Sequence, residues 1–382
     1  MRRALVRFCL VLCLLAAVFP LGASAQEETG TEGIGQELDA IGFGKLGDYL
    51  PEETKEALRD AGLGEALEGS ISLTPDMVLR AVGQALQDQI HEPLQALAGV
   101  GAVVVLAALL DGLGSMPSSQ GIRSIFGVTA SLAVCGSIAA PVIGCITETA
   151  QAIRTCADFL LGFIPVFAGV LVAGGQAVTA TTYHLFLFSL CQGISRVSAT
   201  VLVPLLGVYL AFCLTAAAVP QMRLAPLASA IKTAVGWALG LMLTVFVAFL
   251  TVQTLVSSSG DSVSLRTAKF LIGSFVPVVG SALADAFIAA QGCIRLVRTT
   301  VGAFGAVAVI FVFLPVLLRA LAWFLAVQLA GALAQLFGLE GTAGLLRSVG
   351  SVLGILMALI LSFGLLVIIS TTLVLLTGQG GA

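Results

Sequence analysis

Long apolar runs, separated by single charges or short polar stretches, dominate the chain from residue 93 onward. A charge-free stretch of about 20 residues is long enough to cross the hydrocarbon core of a bilayer as a helix. Such windows lie at 93–110, 124–147, 159–195, 197–222, 233–260, 299–318, 320–339 and 348–382. The pattern predicts an all-α, polytopic membrane protein with seven to nine crossings.

The region before residue 93 follows a different pattern, that of short amphipathic helices. Pro51 and Pro75 stand where a first helical turn favours proline, with acidic residues close behind them. Thr74 is a predicted N-cap for the second of these helices. Apolar residues then recur at helical spacing, at Val78, Leu79, Val82, Leu86 and Ile90. We therefore expect residues 26–92 to form a small helical head whose last helix leads into a membrane domain, residues 93–382.

Composition separates the head from the membrane domain. The whole chain is 58% hydrophobic and 10% charged, with a mean hydropathy of +1.07, whereas soluble domains carry about 25% charged residues. Residues 26–92 contain 15 acidic and 4 basic residues, and residues 93–382 contain 6 and 11. Residues 1–25 combine a basic start with an apolar run and end in Ala-Ser-Ala, which is typical of a secretory signal peptide. We expect this peptide to be cleaved and the acidic head to be extracytoplasmic.

Four stretches need a separate interpretation. The window 159–195 is too long for one crossing and contains Gly174-Gly175, so we expect a break near residue 175 and a candidate re-entrant segment at 180–195. Residues 262–298 hold only a short charge-free run, which favours a re-entrant or interfacial helix near 266–290. The charged stretch 148–158 is expected to form an external loop, and Arg319 leaves the junction of two windows open.

Few side chains in the membrane domain suit chemistry. The six cysteines after the signal peptide lack metal or redox spacing, and we interpret them as small apolar residues packed between helices. Asp158 and Asp285 are better explained as interfacial charges beside Arg154 and Lys269 than as a carboxylate pair. His184 suits a proton relay, but a single histidine at a helix break more commonly satisfies local backbone. The sequence predicts a protein that is not an enzyme, without a cofactor, a metal site or nucleic-acid binding.

One apolar phrase occurs twice. Residues 159–166 read FLLGFIPV and residues 270–278 read FLIGSFVPV, and an Arg-Thr pair precedes each copy. Copies that run in opposite directions would form an inverted repeat, the arrangement that brackets the substrate site of many secondary transporters. Copies that run in parallel would not. The sequence leaves both arrangements open.

Two stretches resemble a known family. Residues 264–280, SLRTAKFLIGSFVPVVG, resemble the most characteristic stretch of the stage III sporulation protein AE family, and residues 163–178, FIPVFAGVLVAGGQAV, resemble an earlier segment of it. The order of signal peptide, acidic exported region and polytopic body also matches. No catalytic residues are established for this family, so the resemblance offers candidates for a conduit or an interface only. They are Pro165, Gly174, Gly175, His184, Arg266, Lys269, Gly273, Pro277 and Asp285.

The resemblance implies a role in endospore formation. Members of the family sit in the mother-cell membrane that surrounds the forespore, within a secretion-like transenvelope channel complex. The implied partners are the ring-forming AG protein, the ATPase AA protein and, across the intermembrane space, stage II sporulation protein Q. We therefore expect a platform or conduit subunit of this complex. The alternative is a stand-alone secondary transporter with broken-helix repeats.

Overall fold

The structure is a computed structural model that describes residues 43–60, 75–113, 120–218, 224–275 and 280–377. A 3₁₀ helix, Phe43–Tyr49, and α1, Glu52–Asp60, belong to the head. The longer helices are α2 (Pro75–Leu113), α3 (Gln120–Ala173), α4 (Ala177–Val197), α5 (Val203–Ala218), α6 (Ala225–Phe275), α7 (Gly280–Leu336) and α8 (Glu340–Thr377). A short π-helix, Ser198–Leu202, joins α4 to α5 into one continuous unit. These ranges contain helices and turns without a strand, which confirms the all-α class; the predicted signal peptide lies outside them.

The described helices include six that are long and apolar enough to cross a membrane. They cover Gln89–Leu109, Val128–Ala173, Ala177–Ala216, Pro226–Gln253, Val297–Leu336 and Glu340–Thr372. The protein is therefore a multi-pass membrane protein, as predicted. Several of these helices are much longer than the roughly 20 residues that one crossing needs. The count of seven to nine crossings and the two re-entrant segments stay predictions.

The external loop expected at residues 148–158 is wrong, because α3 continues through this stretch to Ala173. The charges in this stretch are compatible with a helix. Glu148 pairs with Arg319 of α7, and Arg154 and Asp158 lie one turn apart on an exposed face of α3. Helix α7 likewise passes through Arg319 without a break. Charges that end a hydrophobic window therefore do not end a helix in this protein.

Two glycines end long helices by the same backbone motif. Gly175 follows α3 with φ 75°, and Gly338 follows α7 with φ 73°, a conformation that side chains with a Cβ rarely adopt. After α3, the N–H of Gln176 donates to the carbonyl of Leu171, and the N–H of Gly175 donates to that of Val172. The same two bonds follow α7, so both ends are Schellman caps. The first of them lies at the break predicted near residue 175.

Side-chain contacts fix the directions of the helices. The α4–α5 unit runs back along α3, because Gln192 of α4 donates to the carbonyl of Ala157 at 3.4 Å. Helix α6 in turn packs against this unit, with Ser198 Oγ and Met242 Sδ 3.9 Å apart. Since the chain reverses at each connection, α3 and α6 run parallel. The copy at 159–166 and the described part of the second copy, 270–275, therefore lie in parallel helices and do not form an inverted repeat.

The middle of helix α7 is enclosed by neighbouring helices. Its consecutive residues Val307, Ala308 and Val309 are 8%, 0% and 1% exposed. Successive residues of an α-helix point about 100° apart, so a run of buried residues shows that neighbours surround the helix on every side. Helices α2, α3 and α8 make most of these contacts.

The cysteines pack as small apolar residues where the structure describes their side chains. Cys145, Cys156, Cys191 and Cys213 are buried free thiols, and Cys135 is partly buried. These positions confirm the packing role predicted for them.

Candidate functional site

The Gly174–Gly175 turn is the best-defined feature among the predicted interface residues. It connects α3 to α4, and a side chain at position 175 would be strained because of its positive φ. Gly174 is packed more tightly than the turn alone requires. A Cβ added there would lie 3.3 Å from Cγ2 of Ile294 in α7. The turn is therefore both a chain reversal and a contact surface for α7.

An arginine of α7 also reaches this turn. Arg298 is only 8% exposed, and its Nη1 donates to Oε1 of Gln176 at 2.8 Å. Burial of a guanidinium requires such partners. Helix α7 follows the second of the two family-like stretches, and Gln176 belongs to the first. The fold thus places the end of the first stretch, at Gln176, against α7, the helix that follows the second stretch.

The first copy of the repeated phrase builds an aromatic ladder. Phe159 stacks on Phe163 at 5.6 Å between ring centroids, and Phe163 stacks on Phe167 at 5.5 Å. Phe167 meets Tyr183 of α4 edge-on at 5.3 Å. All four side chains are fully buried. The three phenylalanines follow one another at intervals of four residues, so they lie on one face of α3, which packs against α4 and α7.

The head rests on the same part of α3. A Cβ added at Gly162 would lie 2.6 Å from the ring of Tyr49, so the glycine makes room for the aromatic side chain of the 3₁₀ helix. Leu46, Leu50 and Leu58 of the head are buried as well. The Gly in FLLGFIPV therefore serves a contact between the head and the membrane domain.

The remaining predicted residues are more dispersed. His184 is half-buried and stacks on Phe188, one turn further along α4, at 5.8 Å and 6° between planes. Pro165 lies inside α3 on an exposed face. Arg266, Lys269 and Gly273 belong to α6 and Asp285 belongs to α7, where the helical backbone alone is described, and Pro277 lies outside the described residues. The roles proposed for these residues stay predictions.

One charged cluster was not predicted as a site. Arg319 of α7 pairs with Glu148 of α3, and its Nη2 lies 3.0 Å from Oε2 of Glu92 in α2. In the sequence, these residues are three isolated charges, each beside the end of an apolar window. Sequence could not show that these charges meet, since they come from helices far apart in the chain.

These contacts hold the fold of one chain together. The turn, the ladder and the charged cluster each join one helix to another, and Gly162 joins the head to the bundle. Within the described part of the chain, they form a set of helix–helix and head–helix interfaces.

The chain matches the family model described as Stage III sporulation protein AE over residues 61–378. A curated relative, Stage III sporulation protein AE of Bacillus subtilis (strain 168), is 25% identical over 297 residues, which cover 77% of this chain and 72% of the relative. No solved structure matches the chain. The family match takes in both stretches on which the resemblance was based. The protein therefore belongs to the stage III sporulation protein AE family, a family of multi-pass membrane proteins with a role in sporulation.

Proposed function

We propose that this protein is a platform subunit of a transenvelope complex that connects the mother cell to the forespore. It lies in the mother-cell membrane around the forespore, with its acidic head in the intermembrane space. Its proposed partners are the ring-forming AG protein, the ATPase AA protein and stage II sporulation protein Q. Membership of the sporulation family supports the setting, and the enclosed middle of α7 supports a platform over a conduit through one chain.

The close packing around the middle of α7 favours a platform over a conduit through one chain. Helix α7 is buried on all sides around Val307–Val309, so neighbouring helices fill the space around this part of it. Phe159, Phe163 and Phe304 fill the neighbouring space, with Phe159 and Phe304 6.4 Å apart between ring centroids. A channel in the complex would then be formed by several subunits together.

The same observations weigh against a stand-alone transporter. Transporters with inverted repeats place a substrate site between two oppositely oriented halves. Here the two copies of the phrase lie in the parallel helices α3 and α6. In addition, the phenylalanines of the first copy are packed in the aromatic ladder, so they do not line a substrate site.

Co-purification from sporulating cells tests this proposal. The affinity-tagged chain is extracted in mild detergent and its associated proteins are identified. We expect the AG and AA proteins to be recovered with it, and to be recovered equally with the control variant Gly207→Ala, which has open space around the added methyl group. Recovery of the folded chain without either protein would contradict the proposal.

A further inference from the structure

The cluster of Arg319, Glu148 and Glu92 lies at one level across three helices of the bundle. The exposed fraction of the side chain is 25% for Arg319, 34% for Glu148 and 66% for Glu92. An exposed carboxylate such as that of Glu92 is costly within hydrocarbon. We call this level the charged layer.

The charged layer divides the bundle into two halves. The lower half ends at the α7–α8 turn, and α3 reaches this end near Ser131, whose Oγ lies 3.0 Å from Oγ1 of Thr342 at the start of α8. The distances from Glu148 to Ser131 and from Arg319 to Leu336 are both about 26 Å at 1.5 Å per residue. This thickness is close to the roughly 30 Å of a hydrocarbon core. The upper half lies on the other side of the layer and contains α4, the Gly-Gly turn and the ends of α3 and α8.

The exposed surfaces of α3 and α7 in the lower half carry no charge. On α7, the exposed side chains below Arg319 include four leucines, at Leu325, Leu329, Leu333 and Leu336. On α3, the exposed residues between 129 and 147 carry no charge and include Leu132 and Ile143. Such a continuous apolar belt has the composition of a lipid-facing surface.

The exposed surface of the upper half combines apolar residues, such as Leu161 and Leu185, with three charges close to the layer. Arg154 and Asp158 of α3 and Arg196 of α4 are all exposed. If the bilayer surrounded the upper half, these three charges would face its hydrocarbon, at a cost of several kcal/mol that membrane proteins avoid. The exposed charges therefore favour the lower half as the part within lipid.

Two exposed cations in the lower half are compatible with lipid. Lys232 and Arg347 lie about two turns into α6 and α8, and both helices begin at the lower end. Helical side chains lean toward the N-terminus of their own helix, so Arg347 leans toward the lower interface. Long basic side chains reach the headgroups in this way. Lys232 has a polar partner within the bundle, because its Nζ donates to Ser351 Oγ of α8 at 3.1 Å.

The head identifies the side on which the upper half stands. Tyr49 packs on Gly162, which lies beyond Glu148 in α3 and therefore in the upper half. The head and the upper half thus occupy the same side of the charged layer.

We propose that only the lower half lies in the bilayer, with the charged layer at its boundary, and that the upper half stands in the aqueous compartment together with the head. Six helix segments then cross the membrane, one each from α2, α3, α5, α6, α7 and α8. This placement goes beyond the proposed function and holds whether or not the partners named above bind.

Tryptophan fluorescence tests this placement. Trp237 is 70% exposed and is first replaced by phenylalanine, which leaves the buried Trp323 as a constant background. Leu329→Trp then introduces a reporter in the lower half, and Leu185→Trp introduces one in the upper half. The two leucines are matched, at 56% and 58% exposed. The purified full-length variants are reconstituted into phosphatidylcholine vesicles with and without brominated acyl chains, and acrylamide serves as the aqueous quencher.

We expect brominated lipid to quench the fluorescence added by Leu329→Trp, and acrylamide to quench the fluorescence added by Leu185→Trp. Equal quenching of both reporters by brominated lipid would overturn the proposal, and so would the reverse pattern. Quenching of Leu329→Trp by acrylamide alone would also overturn it. Leu325→Trp and Leu161→Trp form a second matched pair, at 46% and 39% exposed, should either first variant fail to fold.

Discussion

Gly305 of α7 lies directly against the ring of Phe163 in α3, so closely that a methyl group at position 305 would overlap Cζ of that ring. The glycine thereby lets two buried helices approach each other at the aromatic ladder. Close approach at small residues is the main way in which helices pack tightly inside a membrane protein. Phe163 of the apolar phrase at 159–166 thus packs directly on the backbone of α7.

Gly305→Ala should therefore destabilise the protein. The added methyl group forces the Phe163 ring out of its position, and overpacking of this kind costs about 1–3 kcal/mol. The measurement is the thermal unfolding midpoint of the purified protein in detergent, followed by circular dichroism. Gly207→Ala is the matched control, because nothing lies within 4 Å of the added methyl group and alanine favours a helix over glycine. Equal midpoints for the two variants would show that α7 does not pack on Phe163 as described.

Gly162→Ala should loosen the head. The added Cβ would lie 2.6 Å from the Tyr49 ring, so that the 3₁₀ helix must move away from α3. Limited proteolysis should then cut the head faster than in the parent protein, while Gly144→Ala, which has open space in the same helix, should leave the rate unchanged. In a Tyr49→Ala background, Gly162→Ala should have little further effect, because the two residues act through one contact. Additive effects of the two substitutions would count against this docking.

Sequence alone predicted the elements of this fold better than their extent. Pro75 begins α2, and the Gly-Gly pair ends a helix, because both residues act through local backbone geometry. The extent of α3 was missed, since hydrophobic windows treat every charge as an end. Glu148 can lie within a helix because Arg319 compensates its charge, and that partner is 171 residues away in sequence.

Glu148→Gln should destabilise the protein more than Glu92→Gln. Glu148 is the less exposed partner of Arg319, and removal of a charged partner from a half-buried site costs about 1–3 kcal/mol. Loss of an exposed pair such as that with Glu92 costs about 0–1 kcal/mol. Thermal unfolding of both variants in the same detergent measures the difference. The exchange of Arg319→Glu with Glu148→Arg should recover part of the loss, and a larger effect of Glu92→Gln would contradict the ranking.

The C-terminus should lie on the same side of the membrane as the head. Six crossing segments, an even number, return the chain to the side from which it started. Alkaline phosphatase is active only outside the cytoplasm. With an extracytoplasmic head, a phosphatase fused to the C-terminus should therefore be active, and an epitope in the head should be accessible from the same side. Opposite sides for the two ends would require an odd number of crossings.

The candidate site could be predicted from sequence only in part. The Gly-Gly turn was found because glycine pairs mark chain reversals. Its contacts with Ile294 and Arg298 were not, since they depend on the packing of α7 against the end of α3. The contact between Gly305 and Phe163 was missed for the same reason: a glycine in an apolar helix gives no sign of which side chain it receives.

Solute release from vesicles most directly tests the central claim, that one chain is a filled platform and not a self-sufficient path across the membrane. The purified protein is reconstituted into vesicles loaded with a small fluorescent anion, and insertion is verified by brominated-lipid quenching of Leu329→Trp. Because α7 is enclosed by its neighbours around Val307–Val309 and the aromatic ladder packs beside it, a path through one chain is closed in the upper half, and we predict the same release rate as from protein-free vesicles. Release or uptake that rises with the amount of inserted protein would contradict the account.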